Sequence, residues 1–128
     1  EVISMGRVVQ SDYTIIRHPK GDIRKLWKTN GLPYEPKEIY ISEVIPGEFK
    51  GWKLHKRQVS TLCVLHGKVD FSIKTDDEVN KVTLSSEGCT MLHIGTDTWF
   101  GFEAIGDVTA KILNFSSIVH DPSEGITS

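Results

Sequence analysis

The chain has 128 residues, 38% of them hydrophobic, and its fifteen Lys and Arg against seventeen Asp and Glu leave a net charge of −2. That length suits one domain spanning 1–128 with a real core, while the charge balance leaves no basic field to hold a nucleic-acid backbone. No apolar run approaches the ~20 residues that cross a bilayer, so neither nucleic acid nor a membrane is an expected partner.

Residues 1–40 are irregular. "YTIIRH" (13–18) and "IRKLWK" (23–28) are short strand candidates around Pro19 and Gly21. This segment is expected to form an arm laid across a second copy of the chain, because a jelly roll leaves sheet edges to be covered. A homodimer follows from that expectation. Beyond it, β-branched and aromatic residues mark strands at "EIYISEVI" (38–45), "STLCVLH" (60–66), "NKVTLS" (80–85), "CTMLHI" (89–94), "TWFGFEA" (98–104) and "VTAKILNFSS" (108–117). The clearest is "KVDFSIK" (68–74), where Val69, Phe71 and Ile73 share one face and Lys68, Asp70, Ser72 and Lys74 the other.

Short breakers separate them: Pro46-Gly47, His66-Gly67, "TDDE" at 75–78, "SSEG" at 85–88, "GTD" at 95–97 and Gly106-Asp107. Strands recurring about every ten residues with no helical period between them indicate an all-β sandwich, jelly roll or barrel. The closing "DPSEGITS" is polar and reads as a loosely held tail. Nothing at the start resembles a signal peptide. Cys63 and Cys89 sit in apolar strand-like segments without CxxC spacing, as buried thiols of a reducing compartment do, so a cytoplasmic location is expected. Asn114-Phe115-Ser116 has the form of a glycosylation sequon but falls inside a strand pattern.

The chemistry concentrates around His55. Alternation places Phe49, Gly51, Lys53 and His55 on one strand face, so a cation and a titratable imidazole point the same way. Trp52 and Trp99 offer flat apolar surface that can stack on a sugar or base. Asn114 interrupts the inward set of Ala110 and Ile112, and an inward polar residue must find a partner or line a cavity. Each also has a plain structural reading: a satisfied core histidine, core tryptophans, a solvated strand face. A metal site is not expected, because the positions two before and two after His55 are Lys53 and Arg57, where a strand would carry partner ligands.

His55, with Gly67 twelve residues on, then "KVDFSI", "VTLSSEG", "IGTDTWFGF" and "ILNFSSIVHDPSE", resembles the cupins of nucleotide-sugar metabolism, in particular the dTDP-4-dehydrorhamnose 3,5-epimerase family. "HPKGDIRKL" near the start is similar to that family's His-x-x-Gly-Asp-x-Arg segment. Lys53-Leu54-His55-Lys56 with Gly67, and Thr98-Trp99, are also similar to the sugar-nucleotide 3,4-ketoisomerases. The resemblance implies a cupin double-stranded β-helix, or jelly roll, with an N-terminal arm and a cofactor-free, metal-free pocket for a keto sugar nucleotide, with polysaccharide biosynthesis as its setting. It implies His55 as the base that removes a proton beside the ketone, and Arg24 as a nucleotide contact, sometimes across a dimer. On the same basis Lys53 or Lys56 polarises the carbonyl or holds a phosphate, Trp52 and Trp99 stack, and Asn114 or His120 donates a hydrogen bond to the enolate. The family's catalytic tyrosine falls near Asn114, its second tyrosine at His120, and no counterpart of the aspartate that supports its base is found. Those absences favour the rival reading, a non-catalytic sugar-binding cupin.

Overall fold

The computed structural model describes residues 8–128 in full and the backbone of 2–5; residues 1, 6 and 7 of the expected arm lie outside the described residues. The strands are β1 (Val2–Met5), β2 (Val8–Asp12), β3 (Thr14–Ile16), β4 (Ile23–Lys25), β5 (Glu38–Val44), β6 (Phe49–His55), β7 (Ser60–His66), β8 (Lys68–Thr75), β9 (Glu78–Ser85), β10 (Thr90–Ile94), β11 (Phe100–Ile105), β12 (Ala110–Ser116) and β13 (Gly125–Thr127). Among the described residues there is no helix, and so none long and apolar enough to cross a membrane. The all-β jelly roll expected from the sequence is what forms.

One sheet runs β1-β2-β10-β7-β12-β5 and the other β13-β6-β11-β8-β9, all antiparallel, with β3 and β4 as a separate hairpin. The alternation read in 68–74 explains the core. Val69, Phe71 and Ile73 of β8 are fully buried and meet Leu62, Leu92, Ala110 and Ile112 of the facing sheet. Burial of such side chains is worth roughly 1.5–3 kcal/mol each, and it holds the two sheets face to face. The β8–β9 hairpin closes on the acidic turn, where Asp76 adopts φ 54°, a left-handed conformation that Asp tolerates.

The N-terminal segment has partners within its own chain. β2 pairs with β10, and the β3–β4 hairpin with Leu26 covers a second apolar cluster of Tyr13, Cys63 and Met91 on the outer face of the six-stranded sheet. Cys63 is buried there, and burial pushes its thiol up to about 11, whereas Cys89 is only half-buried. The Tyr34 hydroxyl donates to Phe115 O (3.0 Å) and shares a bond with Thr61 Oγ1 (2.5 Å). Thr61 in turn bonds His93 Nδ1 (2.9 Å), whose Nε2 meets Ser11 Oγ (2.6 Å). This chain of hydroxyls and imidazole ties β2 and the stretch after β4 to the sheet. Burial holds the His93 pKa below its ordinary value.

Two sequence expectations change. The tail is not loose: β13 pairs with β6, and Asp121 binds Arg57 at 2.5 Å. The face of β6 also shifts phase. Phe100 pairs with Lys53 but Phe102 with Lys50, so two residues, Gly51 and Trp52, stand opposite the single Gly101. This bulge turns Lys50 inward instead of Phe49; Phe49 instead packs on Trp52 with ring centroids 5.5 Å apart. Gly51 has φ +147°, and a Cβ there would stand 2.6 Å from Gly101 Cα. Gly51→Ala should therefore lower stability by about 1–3 kcal/mol, read as a fall in melting temperature.

Candidate active site

The interior is apolar at one end and polar at the other. Along β12 the inward residues run Ala110, Ile112, Asn114; along the paired β5 they run Val44, Ser42, Tyr40. At the polar end the sheets part around a cavity of about 280 Å3. The six-stranded sheet contributes Tyr40, Ser42, Ser60 and Asn114 to its wall, and the five-stranded sheet contributes Lys50, Lys53, His55, Phe100, Phe102 and Thr127.

His55 closes the β6 end of the cavity and is only 6% exposed. Its Nδ1 is bonded to Glu124 Oε1, and Glu124 is itself 4% exposed. The other carboxylate oxygen, Oε2, accepts the backbone N–H groups of Lys56 (3.1 Å), Arg57 (3.1 Å) and Gln58 (3.3 Å), which line up in the turn after β6. Burial pushes the Glu124 carboxyl up, but the bonds from His55 and the backbone N–H groups outweigh it, and the net pKa is lowered. A carboxylate on Nδ1 fixes the ring and its tautomer, leaving Nε2 as the nitrogen able to take a proton. The ring lies 6.2 Å from that of Phe100. Among the described residues no three His, Cys, Asp or Glu side chains are grouped to hold a metal ion.

Two lysines face the imidazole's cavity. Lys50 Nζ donates to Ser42 Oγ (3.0 Å) and Glu43 O (2.9 Å) and sits 5.7 Å from the centre of the Phe102 ring. Lys53 lines the wall between Lys50 and His55. Asn114 is 7% exposed, and its amide makes a long bond, 3.3 Å, to Ile112 O. An inward Asn114 also rules out its sequon as a glycan site.

Of the residues singled out from sequence, the structure brings His55, Lys53 and Asn114 together. The others lie elsewhere. The Trp52 ring is on the outer face, packed on Phe49 with Lys74 Nζ 4.7 Å from its centre, because the bulge and the pleat turn it away. Trp99 precedes β11 and does not line the cavity. Lys56 is exposed in the turn that holds Glu124. His120 is exposed, its backbone N–H bonded to Glu38 (3.2 Å). Arg24 borders a different cavity, on the outer face of the six-stranded sheet, where its Nη1 donates to Tyr13 Oη (2.6 Å) and Gly88 O (2.9 Å).

Sequence reasoning missed Glu124, Tyr40, Lys50 and Gln58. Tyr40 and Ser42 carried a usable signal, since they alternate with buried Val44. Lys50 carried none until the bulge was seen, and Glu124 sat in a polar stretch too short to show a period.

The family described as FdtA: WxcM-like, C-terminal, matches residues 8–128. The chain belongs to that family. It is 22% identical over 120 residues to the probable low-salt glycan biosynthesis epimerase Agl13 of Haloferax volcanii, covering 86% of this chain and 77% of the relative. Among solved structures, a dTDP sugar isomerase from Desulfovibrio desulfuricans G20 matches with a TM-score of 0.85 at 25% identity, over 96% of this chain and 84% of that one. A His-to-Asn variant of the 3,4-ketoisomerase QdtA from Thermoanaerobacterium thermosaccharolyticum, in complex with TDP-4-keto-6-deoxyglucose, matches with a TM-score of 0.86 at 21% identity, over 96% and 88%.

Glu124 gives a pH test. A carboxyl whose pKa is lowered on folding adds stability that is present above its ordinary value of 4.5 and is lost as the pH falls through the folded value. Glu124→Gln should therefore destabilise the protein at neutral pH by about 1–3 kcal/mol. The gap to the unaltered protein should close as thermal melts are taken below pH 4.5.

Proposed function

We propose that the protein is a cytoplasmic, homodimeric epimerase or isomerase that acts on a nucleotide-linked 4-keto sugar in polysaccharide biosynthesis, moving a proton beside the carbonyl. The observation that carries this reading is the buried His55–Glu124 pair in a cavity that also holds Lys50 and Lys53. A histidine held by a carboxylate on Nδ1 presents Nε2 as a general base, and a proton alpha to a ketone is acidic enough for it when donors receive the enolate charge. His55 Nε2 takes the proton, the C–H electron pair forms the C=C bond of the enolate, and the lysines offset the charge that gathers on oxygen and phosphate. The rival sugar-binding cupin without catalysis has no need of a carboxylate buried against the imidazole. No metal or other cofactor enters this step, since Nδ1 of His55 is occupied and the flanking cavity groups are cationic.

The matches to a 3,4-ketoisomerase and to a glycan biosynthesis epimerase support the substrate class. Both outcomes share the first step, removal of the alpha proton. A 3,4-ketoisomerase returns the proton to the former carbonyl carbon and an epimerase to the carbon that lost it. The cavity, about 280 Å3, is at the small end of ligand sites, which run from about 300 to 1,000 Å3. It suits a sugar ring, with the nucleotide lying across the mouth. Arg24 lies on the outer face of the other sheet, so in this reading it contributes to the site of a second copy.

The test is deuterium wash-in beside the ketone of a TDP-linked 4-keto-6-deoxy sugar in heavy water. The unaltered protein should exchange that proton, and His55→Asn should slow exchange by ~10²–10⁴-fold while still binding the nucleotide sugar. Binding without exchange by the unaltered protein would favour the non-catalytic cupin. Light scattering should report a dimer at micromolar concentration, and a monomer there would remove Arg24 from the site.

A further inference from the structure

The stretch between β4 and β5 runs over the outer face of the six-stranded sheet without pairing to it. Among the described residues, the backbone of 26–36 makes one hydrogen bond, from Gly31 N–H to Lys28 O within the stretch itself. Leu26 packs on the Tyr13–Cys63–Met91 cluster and Leu32 is buried, while Trp27, Lys28 and Gly31 border the outer cavity beside Arg24. Side chains therefore fasten this strap, and its polar anchor is Tyr34, which reaches Phe115 O and Thr61 Oγ1.

The protons of that anchor can be assigned link by link. A carbonyl oxygen only accepts, so the Tyr34 hydroxyl donates to Phe115 O (3.0 Å). Its one proton is then spent, and Tyr34 Oη accepts from the Thr61 hydroxyl at 2.5 Å. Thr61 Oγ1 must in turn accept from His93 Nδ1–H (2.9 Å), which leaves Nε2 bare to accept from the Ser11 hydroxyl (2.6 Å). Every proton in the chain has one acceptor, and the chain closes only while His93 is neutral with its hydrogen on Nδ1. A proton added at Nε2 meets the Ser11 donor head on and places a charge that no carboxylate answers. Asp12 of β2 is bonded to Thr90, Arg24 is bonded to Tyr13, and the Cys63 thiol of β7 stays protonated. Burial lowers the His93 pKa, whereas burial raises that of Tyr34 and keeps its hydroxyl in the chain.

We propose that His93 is an acid-sensitive latch: when its ring takes a second proton the hydrogen-bonded chain breaks, the strap of residues 26–36 comes away from the sheet, and the cavity beside Arg24 opens. Trp27 and Lys28 leave the cavity wall with the strap. β2 stays in place because it pairs along β10, so the opening is confined to the segment that has no ladder of its own. A histidine whose pKa is depressed in the latched state binds its proton more readily once released, and protons therefore favour release. The strap is held fully above the ordinary histidine value of 6.5, and its hold weakens as the pH falls through 6.5 towards the lower, latched value. The latch makes no use of the chemistry at His55.

The experiment follows the His93 imidazole by NMR and trypsin cleavage after Lys28 in the whole chain, from above pH 6.5 to well below it. Each cleavage rate is divided by that of a free peptide carrying the strap sequence at the same pH. His93 should titrate with a midpoint below 6.5, and the normalised rate at Lys28 should rise severalfold as the pH falls, with no rise at Lys68 or Lys81 in β8 and β9. In His93→Gln, which cannot charge, the normalised rate should be level across the range. Tyr34→Phe removes the bond to Phe115 O without touching His93, and it should speed cleavage at alkaline pH and move the His93 midpoint up towards 6.5. A rate at Lys28 that stays level while His93 titrates overturns the latch, and so does a rise that persists in His93→Gln. Should His93→Gln not fold, Tyr34→Phe decides: a His93 midpoint unmoved by that change means that ring and strap are unlinked, and the proposal fails.

Discussion

A carboxylate buried away from water must have every lone pair answered, and Glu124 meets that constraint by drawing two distant parts of the chain together. Its oxygens take the His55 ring and three consecutive backbone N–H groups from the turn after β6. An unanswered carboxylate in such a place costs several kcal/mol, so the C-terminal segment has one way to lie. β13 then pairs along β6 and brings Thr127 to the cavity wall. The same contacts that seat the tail also orient the imidazole, so the position of the ring depends on the last residues being in place.

The rest of the site follows from where the apolar core stops. Phe71, Ile73, Leu62 and Ile112 fill the space between the sheets, and the next inward residues on β5, β7 and β12 are Tyr40, Ser60 and Asn114. Those polar groups have no facing apolar layer to displace them. A cavity forms there because nothing in the sequence fills it, and its walls are stiff because each rests on a paired strand. Gln58 illustrates the economy of the arrangement: its backbone N–H binds Glu124 and its side-chain amide donates to Ser60. One residue in a turn thus couples the two walls.

Much of the fold was legible because burial writes a period of two into the first half of β8 and of β12, whereas β7, buried on both faces, was legible as a continuous run of strand-forming residues. The N-terminal segment was harder to place, since β3 and β4 are three residues each and show no period. Its role in covering Cys63 and Met91 depends on contacts far apart in sequence. His55, Lys53 and Asn114 could be picked out because they break an apolar pattern. Trp52 and His120 misled, since an aromatic ring or an imidazole says nothing about which face it occupies. Glu124 was hidden for the opposite reason: a lone carboxylate in a polar tail looks solvated, and only the three N–H groups it meets reveal otherwise.

Side chains before and after the bulge at Gly51 are out of phase. Deleting a single residue between Lys50 and Lys53 would straighten β6 and still leave Lys50 opposite Phe102, with His55 and Lys53 where they stand. The extra residue is therefore a spacer: the register on either side of it decides which side chains face the cavity, and the spacer adds only a bend to the strand.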